Sequence, residues 1–249
     1  MAVTNPSIRL VSLNIEGRKH LDLVLHFLQK CKPDVVCIQE LFEKDIPHFE
    51  RGLGMKTRFV PMTLRGQGEK GVGTPLTMGI GIMSALPMTE PSIRYYYGNP
   101  DSLPNFVWAD MKTVNRMLLY TTVTKNGAAF TIGTTHFSWT PDGIANDRQR
   151  EEVQKLLIIL ADIQDIMFCG DFNAPRGGEI FTTIAQQYTD NIPKQYTTSI
   201  DGTLHRARPL TLMVDGLFST PHYKTKNVSL QCGVSDHCAV VAEIKRIYN

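Results

Sequence analysis

Residues 168–181 read FCGDFNAPRGGEIF. The apolar run Ile166-Met167-Phe168-Cys169 has the length and composition of a buried strand. It stops abruptly at Gly170, Asp171 and Asn173. Burying an unpaired carboxylate is costly, so such a group neutralises or finds partners. Asp171 and Asn173 therefore either close an Asx turn or stand at an open strand end and carry chemistry.

Working outward, the stretch ends a pattern that occurs twice. AFTIGTT (129–135) reads as a strand that stops at His136. NDRQREEVQKLLIIL (146–160) follows, with Val153, Leu156, Leu157 and Leu160 at helical spacing and Asn146 or Asp147 available as a cap. The strand ending at Asp171 comes next. Near the start of the chain, Ile8–Leu13 reads as a strand ending at Asn14 and Glu16. RKHLDLVLHFLQKC (18–31) places Leu21, Val24, Leu25 and Leu28 on one helical face, and KPD stops it. VVCIQ (35–39) is a short buried strand that ends at Glu40. Strand, polar residue, helix, strand, acid: the repeated order predicts two similar α/β halves packed face to face.

Further strands are expected at Met78–Ser84, Asn105–Met111 and Met117–Thr124, the last two as a meander, and near Leu212–Phe218 and Ala239–Ile244. Gly66–Thr74, GQGEKGVGT, lacks P-loop spacing and reads as a flexible loop. Many antiparallel strands with few amphipathic helices predict two packed sheets with helices outside.

The chain has 249 residues, 42% of them hydrophobic and 20% charged, with a net charge of +2. No linker divides it, so one domain spanning residues 1–249 is expected. No basic run marks a nucleic-acid tail, although composition leaves a local basic groove open. No basic-then-apolar leader is seen, and no apolar run reaches membrane-spanning length, so an intracellular, reducing location is expected. The five cysteines form no short disulfide framework. Cys37 and Cys169 read as buried thiols. Cys232 and Cys238 flank an Asp-His pair, but no Cys-x-x-Cys or His-x3-His spacing supports zinc.

Asn14, Glu16, Glu40, His136, Asp171, Asn173, Asp215, Asp236 and His237 all sit where apolar strands stop. Each alone has a structural reading as a cap, turn or core residue. Together, carboxylates, carboxamides and histidines at converging strand ends form an inventory for a hard cation. Magnesium takes oxygen ligands and needs only one or two protein carboxylates. Such a kit suits in-line attack of water on phosphorus.

The motifs, in order, resemble those of the endonuclease/exonuclease/phosphatase superfamily, whose fold is that of deoxyribonuclease I. They are SLNIEG (12–17), PDVVCIQE (33–40), GIGIMS (79–84), TTHFSW (134–139), GDFNAP (170–175), VDGLFS (214–219) and SDHCAVVAEI (235–244). The resemblance implies a four-layer α-β-β-α sandwich of two mostly antiparallel sheets. It implies Glu40 as principal Mg2+ ligand, with Mn2+ as an alternative ion, and Asn14, Glu16 and Asp236 near the metal. It also implies Asp171 orienting or deprotonating the attacking water, with Asn173 at the scissile phosphate. His237 would bind a phosphate oxygen with Asp215 as its carboxylate partner, and His136 would be a second phosphate-binding histidine.

The chain departs from the family pattern at Leu13, where Trp is usual, and at Glu16, where Asp is usual. YTTSIDGTLHR (196–206) either lines the cleft, with His205 and Arg206 on phosphate, or is a solvated loop. Trp139 and Arg148, near the same strand, are expected as substrate-binding residues, and Trp139 either stacks on a base or packs under a loop. The expected activity is metal-dependent hydrolysis of a phosphodiester, with nucleic acid as the leading partner, by a monomer. The alternative is a phosphatase or sphingomyelinase-like enzyme acting on small-molecule or lipid phosphoesters.

Overall fold

The computed structural model describes residues 6–66, 74–108, 110–206 and 210–247. In chain order the elements are β1 (Ser7–Asn14), α1 (Leu21–Cys31), β2 (Val35–Phe42), α2 (Ile46–Leu53), β3 (Lys56–Arg65), β4 (Leu76–Ser84) and β5 (Ser92–Tyr97). There follow β6 (Arg116–Lys125), β7 (Ala128–His136), α3 (Asp147–Ala161), β8 (Met167–Asp171) and α4 (Glu179–Ala185). The last are β9 (Thr189–Asp190), β10 (Asp215–Ser219), β11 (Tyr223–Gln231) and β12 (Ala239–Arg246).

The strands form two six-stranded sheets, ordered β11-β12-β1-β2-β4-β3 and β5-β6-β7-β8-β10-β9. Each sheet has one parallel pair at its centre, β1 with β2 and β7 with β8, flanked by antiparallel neighbours. A helix links the members of each parallel pair, as a parallel crossover requires. The two halves expected from the repeated sequence order are therefore present, with matching strand arrangements.

Three apolar clusters define the layers. One joins Ile8, Leu10, Val35 and Cys37 of the first sheet to Phe130, Ile132, Met167 and Cys169 of the second, so it lies between the sheets. A second packs Val24 and Leu28 of α1 and Phe49 of α2 on Val11, Leu13, Val36 and Ile38. A third packs Val153, Leu156, Leu157 and Leu160 of α3 on Phe168 and Phe218. This is the α-β-β-α sandwich. Asn146 caps α3, its side chain accepting from Gln149 N at 2.9 Å. Lys32, in the left-handed region, closes α1 ahead of Pro33.

Three findings depart from these expectations. Asn105–Met111 is not a strand. Asn105 makes only an isolated bridge to Leu64, Pro104 has no N–H to pair, and Asp110 accepts from Lys112 N to start a short turn of 3-10 helix. The strand that pairs with β6 on that side is β5, whose residues carry no clear alternation of burial. Cys232 and Cys238 are joined in a disulfide, which the expected lack of a short disulfide framework does not anticipate. The expected loop at 66–74 lies, except for its ends, outside the described residues. Cys37 and Cys169 are buried free thiols. Among the described residues no helix is long and apolar enough to cross a membrane.

Candidate active site

Strand periodicity delivers the site. On β1, Ile8 and Leu10 face the other sheet, so Asn14 points the same way at the strand end. On β7, Phe130 and Ile132 set the same parity for His136, and on β8, Met167 and Cys169 set it for Asp171. β7 and β8 run parallel in a register that puts His136 opposite Asp171. β10 runs antiparallel to β8 with Asp215 opposite Asp171.

Glu40 breaks this rule. Val35 and Cys37 face inward, so a regular strand would turn Glu40 outward. Between Ile38 and Leu41 the pairing with β4 slips, and Glu40 takes φ 58°. This bulge re-aims the carboxylate into the cleft. Asn173 and Glu16 also hold positive φ, each 49°. Such backbone cost concentrates where side-chain placement matters. Gly170 is required for another reason. At its φ of 145°, an added Cβ would lie 1.9 Å from Thr135 O.

Asp171 is the hub. Its Oδ1 accepts from Asn173 N at 2.8 Å, and its Oδ2 accepts from Asn14 Nδ2 at 3.1 Å. The same Oδ2 faces His136 Nε2 at 3.5 Å and His237 Nε2 at 3.8 Å. Behind His237, Nδ1 lies 2.7 Å from Asp215 Oδ2. Asn14 Nδ2 also approaches Glu40 Oε1 at 3.4 Å, while Arg65 Nη1 lies 3.3 Å from Glu40 Oε2. Asn173 Nδ2 donates to Phe137 O at 3.0 Å. Glu16 pairs with Lys19 and with His20. Asp171 is thus buried and multiply partnered, where a residue exposed at the cleft floor is expected, and its bond from Asn173 N closes an Asx turn.

The imidazoles are driven apart. Burial lowers the pKa of His136 to about 4, with Arg116 acting in the same direction against the Asp171 charge. Burial works against the charged form of His237 too, but the Asp215 and Asp171 carboxylates outweigh it and hold its pKa well above the usual value. The surroundings thus favour the neutral form of His136 and the charged form of His237. Burial, with Glu40 and Glu16 nearby, raises Asp236 to about 7 against the pull of His237. Glu40 is lowered, because Arg65, His136, Asn14 and His237 together outweigh its burial.

Asp236, pushed toward protonation first by burial and then by Glu40 and Glu16, lies where carboxylates gather. These oxygen donors fit a hard divalent cation. Asp171, Asp215 and His237 also bring ligand-type atoms within 4.8 Å of one another. In that group, however, Asp215 Oδ2 is engaged by His237 Nδ1.

A cleft of about 300 Å³ is lined by Asn14, Glu16, Glu40, His136, Asp171, Asn173, Asp236 and His237. Trp139, His205 and Arg206 line it as well. Asp215 lies behind His237 and not on the wall. Arg148 is not in the lining either. Its guanidinium donates to Glu152 Oε1 and Met111 O, both at 2.6 Å, and lies 3.7 Å above the Tyr97 ring. Sequence reasoning passes over Arg65, Arg116, Phe106 and Trp108, which also line the cleft. Arg116 is buried and donates to His136 O at 2.8 Å. Its signal was an arginine directly ahead of an apolar strand. Arg65 ends a strand that alternates too weakly to be recognised.

The sequence profile of the Endonuclease/Exonuclease/phosphatase family matches residues 11–237. The chain belongs to that family. Its architecture is that of the family's phosphoester hydrolases. The structure of an endonuclease/exonuclease/phosphatase from Bacteroides vulgatus superposes with a TM-score of 0.71 at 18% identity, covering 97% of this chain and 99% of that one. The human nocturnin catalytic domain with bound sulfate gives 0.71 at 18% identity, covering 97% and 94%. ANGEL2, described as a 2',3'-cyclic phosphatase in complex with adenosine-2',3'-vanadate, gives 0.68 at 14% identity, covering 99% and 97%. No curated protein matches the chain.

Proposed function

We propose that this chain is a divalent-metal-dependent phosphodiesterase that uses water as nucleophile on a nucleotide-type phosphodiester. One observation carries the reading: the Asp171 carboxylate faces two imidazoles, one of them backed by Asp215. A base beside two imidazole donors is the arrangement that hydrolysis of a phosphodiester needs.

Asp171 orients the attacking water and takes its proton. Asn14 and Asn173 N hold the Asp171 carboxylate in place through its two oxygens. Asn173, placed by its bond to Phe137 O, lies beside the scissile phosphate. His237, kept cationic by Asp215, donates to a phosphoryl oxygen where charge develops. Neutral His136 is the second contact on that phosphate. Glu40, Glu16, Asn14 and Asp236 are the residues that would hold Mg2+ or Mn2+. When bound, the cation supplies charge neutralisation and orientation at the phosphate. A nucleoside vanadate in a cyclic phosphatase of this fold supports a nucleotide-type ester as substrate.

The test is a hydrolysis panel with Mg2+, Mn2+ or chelator. It contains single- and double-stranded DNA, abasic DNA, 5'-phosphotyrosyl DNA, RNA, inositol polyphosphates and sphingomyelin. Asp171→Ala, checked for folding by circular dichroism, is the control. Metal-dependent cleavage of a nucleic acid that disappears in the variant is expected. Full activity in Asp171→Ala would sink the mechanism, and turnover of inositol or lipid esters alone would move the substrate to that class.

A further inference from the structure

The chain contains two tryptophans, Trp108 and Trp139. Both lie on the wall of the cleft that holds Asp171. They come from separate places, Trp139 from just beyond β7 and Trp108 from the crossing between β5 and β6. Their ring centroids are nonetheless 6.2 Å apart, with planes tilted by 35°. Neither indole is buried, since 58% of Trp108 and 39% of Trp139 remains exposed. An exposed indole pair at a cleft mouth adds little to a core, so folding alone does not account for it.

The surroundings extend the pattern inward. Phe106 meets Trp108 edge-on at 6.4 Å. The Arg65 guanidinium lies 5.0 Å above Phe106 and reaches Glu40. On the outer side, the Arg206 guanidinium lies 4.4 Å over the Trp108 ring. An aromatic path with a cation at each end therefore runs outward from the reaction centre.

We infer that this path is a subsite for an unpaired nucleobase next to the scissile phosphate, so that the substrate is single-stranded nucleic acid. The inference rests on the phosphodiesterase reading and adds a substrate class to it. An aromatic wall recognises a flat ring face, and each stacked base contributes enough to matter for affinity. In a duplex the base faces are covered by their neighbours and are not available to an indole. Arg206 carries the charge that a neighbouring phosphate requires. A net charge of +2 without a basic run suits stacking better than the extended phosphate neutralisation of duplex binding. A lipid surface is the competing occupant, because Val107 and Ile144 are also exposed. Trp108 lines the cleft beside Trp139 and carries Arg206 over its ring, and an aromatic wall with a cation on it favours the base.

Because both indoles are on this wall, fluorescence excited selectively at tryptophan reports this wall without the eight tyrosines. Titration of metal-free wild-type protein with adenosine 5'-monophosphate should quench it. Ribose 5-phosphate carries the same phosphate without a base. It should bind at least about tenfold more weakly by calorimetry. Trp108→Ala/Trp139→Ala, with folding verified by circular dichroism, should abolish that preference. It should also raise KM for a single-stranded oligonucleotide by about tenfold or more. Equal affinity for the two phosphates would overturn the subsite. So would binding to phosphatidylcholine vesicles that is lost in Trp108→Ala without any base preference. Hydrolysis without base preference refutes this inference alone, whereas base preference without hydrolysis refutes only the proposed reaction.

Discussion

His237 Nδ1 lies 2.7 Å from Asp215 Oδ2, and both side chains are buried. Asp215 does not touch the cleft, so its effect on any reaction passes through the imidazole. Burial opposes the charge on His237, and the carboxylates of Asp215 and Asp171 overcome it. Asp215→Asn removes the larger of those charges and should lower the His237 pKa. Imidazolium would then be lost at lower pH, and the alkaline limb of the kcat profile should move toward acid. We expect kcat to fall by about 10²–10³-fold, as when a charge-stabilising donor is lost. Imidazole NMR titration of the metal-free protein checks the shift, and an unmoved resonance would refute the coupling.

Arg148 should prove to be a stability residue. Glu152 is buried, and its Oε1 is held by Arg148 and by Ser138 Oγ at 2.9 Å. Removing the guanidinium leaves a buried carboxylate short of its cation. Arg148→Ala should cost about 3 kcal/mol in urea denaturation. KM should change by less than about twofold. A raised KM at unchanged stability would instead put Arg148 on the substrate.

Gly170→Ala should be severe. The backbone conformation disfavours any side chain, and the new Cβ would strike the Thr135 carbonyl at 1.9 Å. β7 and β8 pair here, so relief would separate His136 from Asp171. A loss of about 3 kcal/mol or more is expected from chemical denaturation. Wild-type stability in this variant would mean that the strands shift at no cost.

Far from the cleft, Asp165, just ahead of β8, ties the second sheet to the turn before β11 and to the end of β12 in the first. It faces His222 Nδ1 at 2.5 Å and accepts from Arg246 Nη2 at 2.7 Å. Burial raises its pKa, but these bonds more than compensate, and the carboxyl is held below its usual value. A depressed folded pKa gives stability that is complete above the unfolded value of about 3.9. That stability is lost as pH falls through the lower folded value. Asp165→Asn should lose about 2 kcal/mol at neutral pH. Its stability should also fall less steeply than wild type below about pH 4. Parallel acid limbs in denaturation series would contradict this assignment.

The central strands and long helices were legible because each buries one face in full, which writes period 2 or 3.6 into the residues. Asn14, His136 and Asp171 were legible for the same reason, as polar residues ending such runs. Glu40 was readable as a strand-end acid, but not the bulge that turns it inward. That bulge depends on pairing with β4, to which β2 has no local signal. β11 stayed hidden because much of it is exposed, so its residues need not alternate. Trp108 was hidden within a segment whose apolar residues imitate a strand but line the cleft mouth. The Cys232–Cys238 bond depended on chain geometry around Asp236 and His237 that spacing does not reveal.

The place of β1 has a consequence for biosynthesis. It is flanked by β2 on one side and by β12 on the other, so that Ser7 pairs with Lys245. A nascent chain on the ribosome can form the first strand–helix–strand unit early, but its sheet keeps an open edge until β12 has emerged. The bond from Asn14 to Asp171 joins residues 157 positions apart. Loop closure on that scale delays long-range pairing. The cleft should therefore assemble abruptly and late in synthesis, once both sheets can close around it.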